Sequence, residues 1–148
     1  MLQHIKLDLI TYGCGNRFDS TKFHLIENQG FIKPKGGLWS SPVRSSFGWK
    51  EYCENVNYNL KSLLEFFAFS IEGSVFVVDT YADMMALPWE DYSSTVPIKL
   101  PNYEKMVQSG IDAIFLTVEG NFMTRIKFPS LFGWDCECVL ILNPDCVI

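Results

Sequence analysis

The sequence is poor in the residues that hold metals and polyanions. It has 2 histidines, His4 and His24, and 12 Lys and Arg against 17 Asp and Glu, for a net charge of −5. That balance argues against a broad basic face for a nucleic-acid backbone. A local basic patch around Lys33, Lys35 and Arg44 is still compatible with it. The 5 cysteines, Cys14, Cys53, Cys136, Cys138 and Cys146, are odd in number and never spaced as CxxC. Free thiols in a reducing cytoplasm are the simplest account of them. A zinc site is the sharper alternative, but both histidines are far from the cysteine pairs in sequence, and no metal is expected. Glu65 and Glu72 interrupt the longest apolar region, well short of the roughly 20 residues of a membrane span. Met1 to Ile10 is short and contains Lys6 and Asp8, so it does not read as a secretion signal. Repeats, linkers and low-complexity tracts are absent.

What remains is rich in core-forming residues. The 148 positions are 48% hydrophobic and 15% aromatic, which suits one domain with a sizeable core. Ile5 to Tyr12 reads as a first strand, ended by Tyr12-Gly13-Cys14-Gly15-Asn16, where glycine permits positive φ and close backbone approach. Leu38-Trp39-Ser40-Ser41 is a short strand between Gly36-Gly37 and Pro42. From Gly48 the pattern turns helical: Trp49, Tyr52, Cys53, Val56 and Leu60 share one face. Ser45 or Ser46 is a candidate cap.

Phe66 to Ile71 and Ser74 to Asp79 read as the arms of a hairpin turning at Gly73. Tyr81 to Leu87 is a short helix stopped by Pro88, and Thr95 to Pro101 a loop or extended segment. Asn102 to Ser109 is a helix ended by Gly110. Ile111 to Leu116 is a strand, Glu119-Gly120-Asn121 a turn, and Phe122 to Phe128 a strand or mobile loop. Strands separated by short helices, without regular β-α-β alternation, predict an α+β domain with a mostly antiparallel sheet.

The stretch Leu131 to Asn143 carries the chemistry. Val139 to Leu142 reads as a buried strand stopped by Asn143-Pro144-Asp145. Asp135 and Glu137 stand at its start, two residues apart, which places both carboxylates on one face of a strand. Beside Trp134, they read either as solvated acids or as the rim of a cleft.

Three stretches together resemble the ADP-ribosyltransferase family, as found in small bacterial and phage NAD-dependent enzymes. They are Tyr12-Gly13, then Gly36 to Ser41 with the Trp49–Tyr52 helix, then Gly110 to Ile114 followed by Trp134-Asp135-Cys136-Glu137. The resemblance implies split, mostly antiparallel sheets flanked by short helices. It implies NAD as cofactor and a macromolecular acceptor, a protein in preference to a nucleic acid, for a cytoplasmic phage or bacterial effector that needs no membrane.

Carried over by position, Gly13 contacts the nicotinamide amide through its backbone, and Ser40 or Ser41 shapes the nicotinamide pocket. Glu137 is the catalytic glutamate and Asp135 takes the first-acid position. Tyr12 stands where the family has His or Arg, and Asp135 where it has Glu or Gln. Trp39, Trp49 or Tyr52 are candidates to stack on the nicotinamide ring, and Lys33, Lys35 or Arg44 to meet the pyrophosphate. Two other functions suit the same residues: a non-catalytic binding or inhibitor protein on this fold, and an NAD glycohydrolase with water as acceptor.

Overall fold

Alternating apolar residues build the longest elements of the chain. The computed structural model describes all residues, Met1 to Ile148. Its strands are β1 (Leu2–Tyr12), β2 (Leu38–Pro42), β3 (Phe66–Val78), β4 (Trp89–Asp91), β5 (Lys99–Pro101), β6 (Ala113–Leu116) and β7 (Cys138–Ile141). Its helices are α1 (Trp49–Val56), α2 (Tyr81–Met85), α3 (Tyr103–Gln108) and α4 (Val118–Met123). Five strands close into a barrel in the order β1-β2-β7-β6-β3, and β4 with β5 forms a separate ribbon. Only β3 and β6 run parallel; every other pairing is antiparallel. The α+β class and the mostly antiparallel sheet are therefore as expected. The strand pairing describes a closed barrel and a ribbon, not two separate large sheets. No helix is long and apolar enough to cross a membrane.

Side chains of the barrel strands alternate between two apolar clusters, as a two-residue repeat requires. Val75, Val77, Ala113, Val139 and Ile141 join one cluster with Leu9 and Ile71. Phe76, Val78, Ile114, Cys138 and Leu140 join the other with Met84, Tyr103, Met106 and Trp134, where the helices pack.

The expected hairpin over Phe66 to Asp79 is not formed. β3 passes straight through Gly73, because β1 offers it an unbroken partner from Leu2 opposite Phe76 to Tyr12 opposite Phe66. Gly73 serves a close approach instead: a Cβ there would meet Asp112 Oδ2 at 2.5 Å. That carboxylate accepts the Ser74 N–H and the Asn143 side-chain amide, each at 2.8 Å, and so ties β3 to the end of β7.

Local signals placed most helices. Asn102 caps α3 by accepting the Lys105 N–H, and Gly110 follows with φ +80°. Thr80 and Asp83 form a reciprocal capping box on α2. Two expectations fail nearby. Glu119-Gly120-Asn121 is not a turn but the middle of α4, started by Thr117 accepting the Gly120 N–H. Neither Ser45 nor Ser46 caps α1; Gly48 is its first boundary, and the Trp49 N–H finds Ser41 Oγ on β2 at 3.0 Å. Asn57, with φ 54°, ends α1 before Leu60 of the expected face is reached.

Candidate functional site

The ladder between β1 and β2 is short. Leu9 pairs with Pro42 and Ile10 with Ser41, and no further pair follows. The buried Thr11 side chain donates to the Trp39 carbonyl at 3.0 Å in place of the next backbone bond. Past that point the strands part. Gly13, with φ +74°, turns the chain toward Glu65, whose carbonyl takes its N–H at 2.8 Å. A side chain is disfavoured at that φ, and its Cβ would press within 3.2 Å of Ser62.

A cavity of about 340 Å³ opens where the strands part. Ile10, Tyr12, Gly13 and Cys14 line it from β1 and its turn; Trp39, Ser40 and Ser41 line it from β2. Trp49, Asp135, Cys136, Cys138 and Lys33 complete much of the wall. Residues separated by more than 120 positions in sequence thus share one mainly apolar, aromatic site, the usual composition of a small-ligand pocket.

Trp39 is fixed by the buried Trp134, edge to face at 4.7 Å and 79°. Trp49 stacks on Tyr52 at 5.5 Å and meets Tyr58 edge-on. Tyr52 is therefore a support for Trp49, behind the wall. The two serines are committed to the scaffold. Ser40 Oγ donates to the Val139 carbonyl and Ser41 Oγ to the Glu137 carbonyl, both at 3.0 Å. Each hydroxyl has one hydrogen to donate, so neither has one left for a ligand, and Ser41 Oγ also already accepts the Trp49 N–H. Gly13 likewise offers its carbonyl, since its N–H is already bonded to Glu65.

The two acids diverge. Burial alternates from Trp134 to Cys138, with Asp135 and Glu137 on the less buried side. The hydrogen-bonded strand begins only at Cys138, however, and the preceding residues bend. Asp135 lines the cavity, 3.6 Å from the Lys33 ammonium. Glu137 lies outside the lining; its carboxylate accepts the Val118 N–H at 3.3 Å, at the start of α4. The expected pair of carboxylates on one face of a cleft is a single carboxylate there, because the bend before β7 sends the second one to a helix end.

Burial raises the Tyr12 phenol above its ordinary pKa, with Lys50 opposing and Glu51 and Glu54 adding to the rise. Tyr52 is raised by burial and then by Asp135. The Cys138 thiol is raised well above its usual range by its hydrogen bond with Cys136 and by burial. Asp135 and Lys33 are the one acid and the one base in the cavity's lining.

Sequence reasoning left Cys14, Cys136, Cys138, Asn59 and Ser62 out of the site. For Cys136 and Cys138 a signal existed: the alternation Trp134, Cys136, Cys138 continues into β7. For Asn59 and Ser62 none did, since they arrive on the turn after α1. Lys35 pairs with Glu27 at 3.9 Å, and neither it nor Arg44 reaches the wall. No family model, curated protein or solved structure matches the chain.

Proposed function

We propose that this chain is an NAD-dependent mono-ADP-ribosyltransferase acting on a macromolecular acceptor. One observation carries the reading: Tyr12-Gly13, Trp39-Ser40-Ser41 and Asp135, three distant stretches, line one cavity where the β1–β2 ladder opens. That opening is the counterpart, on this reading, of the split between sheets in ADP-ribosyltransferases. The wall residues fit a nicotinamide riboside. Trp39 and Trp49 offer aromatic surface for the ring, the Gly13 carbonyl an acceptor for its amide, and Asp135 a carboxylate. A volume near 340 Å³ is at the small end of ligand pockets, so the adenosine half extends beyond it.

Cleaving the bond between nicotinamide and ribose moves positive charge from ring to sugar, as in an oxocarbenium-like transition state. A fixed carboxylate beside that bond meets the charge on both sides of the step. Only the part of the attraction that grows toward the sugar accelerates cleavage. Asp135 is the carboxylate in the wall and takes this role; Glu137 is the second candidate. Tyr12, neutral and half-buried, holds a phenol where the family has His or Arg and offers a hydrogen bond to a ribose hydroxyl.

A specific observation favours a second reading, a non-catalytic binding module. Ser40, Ser41 and the Gly13 N–H are already bonded within the fold, and Lys33 offsets the Asp135 charge. Incubation with labelled NAD and a cell lysate separates the alternatives. Label on a macromolecule supports the transferase, and free ADP-ribose alone indicates a glycohydrolase. No turnover, with no calorimetric binding of millimolar NAD, leaves the binding module.

A further inference from the structure

The Trp39 ring and the Asp135 carboxylate together make a cation site, and the chain's own Lys33 occupies it. Lys33 Nζ lies 5.5 Å from the centroid of the Trp39 ring and 3.6 Å from Asp135 Oδ2. A cation within about 6 Å of an indole face is drawn to the negative face of its quadrupole. Trp134 holds the indole in place edge-on, and the Asp135 side chain is 25% exposed. The indole is therefore positioned by the fold and not by Lys33 itself, while the carboxylate has no polar partner but the ammonium.

Lys33 is held loosely. A separation of 3.6 Å is too long for a charge-assisted hydrogen bond. Its side chain is 44% exposed, so water is a ready alternative for the ammonium. All three residues line the same cavity, and no other basic side chain lies within 4.0 Å of the Asp135 carboxylate.

We infer that this cavity selects a flat organic cation, a pyridinium or a small quaternary ammonium, and that Lys33 is a displaceable internal occupant of its site. The incoming cation takes the Trp39 face and the Asp135 carboxylate, and the Lys33 ammonium swings out to water or to an anionic part of the same ligand. The inference deepens the NAD reading, since the oxidised nicotinamide ring is such a cation, and in its biological meaning it rests on that reading. The cation site itself requires no turnover.

Calorimetry with two probes tests it on the full chain: nicotinamide methylated on its ring nitrogen, which is a cation, and neutral nicotinamide. The parent protein is expected to bind the cation more tightly than the neutral ring. Lys33→Met is expected to tighten the cation by about fivefold or more while changing the neutral ring by less than about twofold. Lys33→Gln, which keeps a polar head, should move in the same direction and guards against a packing artefact. Asp135→Asn is expected to erase the preference for charge. Equal affinity for both probes in the parent, or Lys33 variants that bind the cation no better, overturns the inference. Turnover of NAD without a preference for the cation overturns it and keeps the enzymatic reading. A preference for the cation without NAD turnover keeps it and overturns the enzymatic reading.

Discussion

The Glu137 carboxylate accepts the Val118 N–H at 3.3 Å, which assigns it to the first turn of α4 while Asp135, two residues earlier, lines the cavity. The two acids are then separable by mutation. Asp135→Asn should lower NAD-dependent turnover on the order of 10²-fold, the usual loss for one electrostatic group in a transition-state site. Glu137→Gln should keep turnover within about threefold and lower stability by about 0.3–1 kcal/mol, the worth of a charge at a helix N-terminus. Turnover assays with denaturant melts check both, and the reverse pattern returns the catalytic role to Glu137.

Tryptophan emission should report ligand binding through Trp39. Its ring lies in the cavity wall against Trp134, so a bound nicotinamide ring is expected to quench it. Trp39→Phe should remove most of the change and Trp49→Phe a smaller part, because Trp49 is also stacked on Tyr52. Trp89 serves as the internal reference: its indole N–H donates to the Met84 carbonyl and it lies outside the cavity. A quench that survives both replacements would remove these rings from the ligand site.

The thiols should titrate in two classes. Cys14 is exposed and Cys53, Cys136, Cys138 and Cys146 are buried. Burial raises Cys146 to about 12, and the hydrogen bond with Cys136, then burial, raise Cys138 well above the usual thiol range. One thiol of the five should react with a water-soluble disulfide reagent in the native protein, and all five after unfolding without reductant. Partial desolvation and Glu65 also raise Cys14, so its rate should climb steeply as pH increases through the thiol range. Two or more fast native thiols would contradict the burial described here.

Acid should weaken the start of α2. Burial tends to raise the Asp83 pKa, but N–H bonds from Asp79 and Thr80, the Thr80 hydroxyl and the chain's amino terminus more than offset it, and the net shift is downward. A carboxyl depressed in the folded state contributes stability that is complete above its unfolded pKa and disappears as pH falls through its folded one. Asp83→Asn should cost about 0.3–1 kcal/mol near neutral pH, the worth of a charge in the first turn of a helix. The difference from the parent should shrink below about pH 4, where the unfolded carboxyl protonates. Denaturant melts across pH 3 to 7 check the convergence; a constant offset would mean the charge does not matter.

Local chemistry made much of the chain legible from sequence. Asn102 and Gly110 bound α3, Gly13 ends β1, and the apolar run before Asn143-Pro144 becomes β7, because caps, turn glycines and apolar periodicity act over a few residues. The cavity's main aromatic residues and serines were readable for the same reason, as parts of short distinctive stretches. Tertiary structure decided what each of them is free to do. Whether Gly73 turned a hairpin or crossed a straight strand depended on β1 lying alongside for eleven residues and on Asp112 pressing close. Whether Ser40 and Ser41 had hydroxyl hydrogens to give a ligand depended on β7 presenting the Val139 and Glu137 carbonyls to them. Which carboxylate reached the cavity was set by the bend before Cys138 and the arrival of α4, and Lys33 came to Asp135 from a hundred residues away. Local propensity fixes backbone choices within a turn or a strand, but hydrogen-bond partners and charge neighbours from distant segments exist only after the barrel closes.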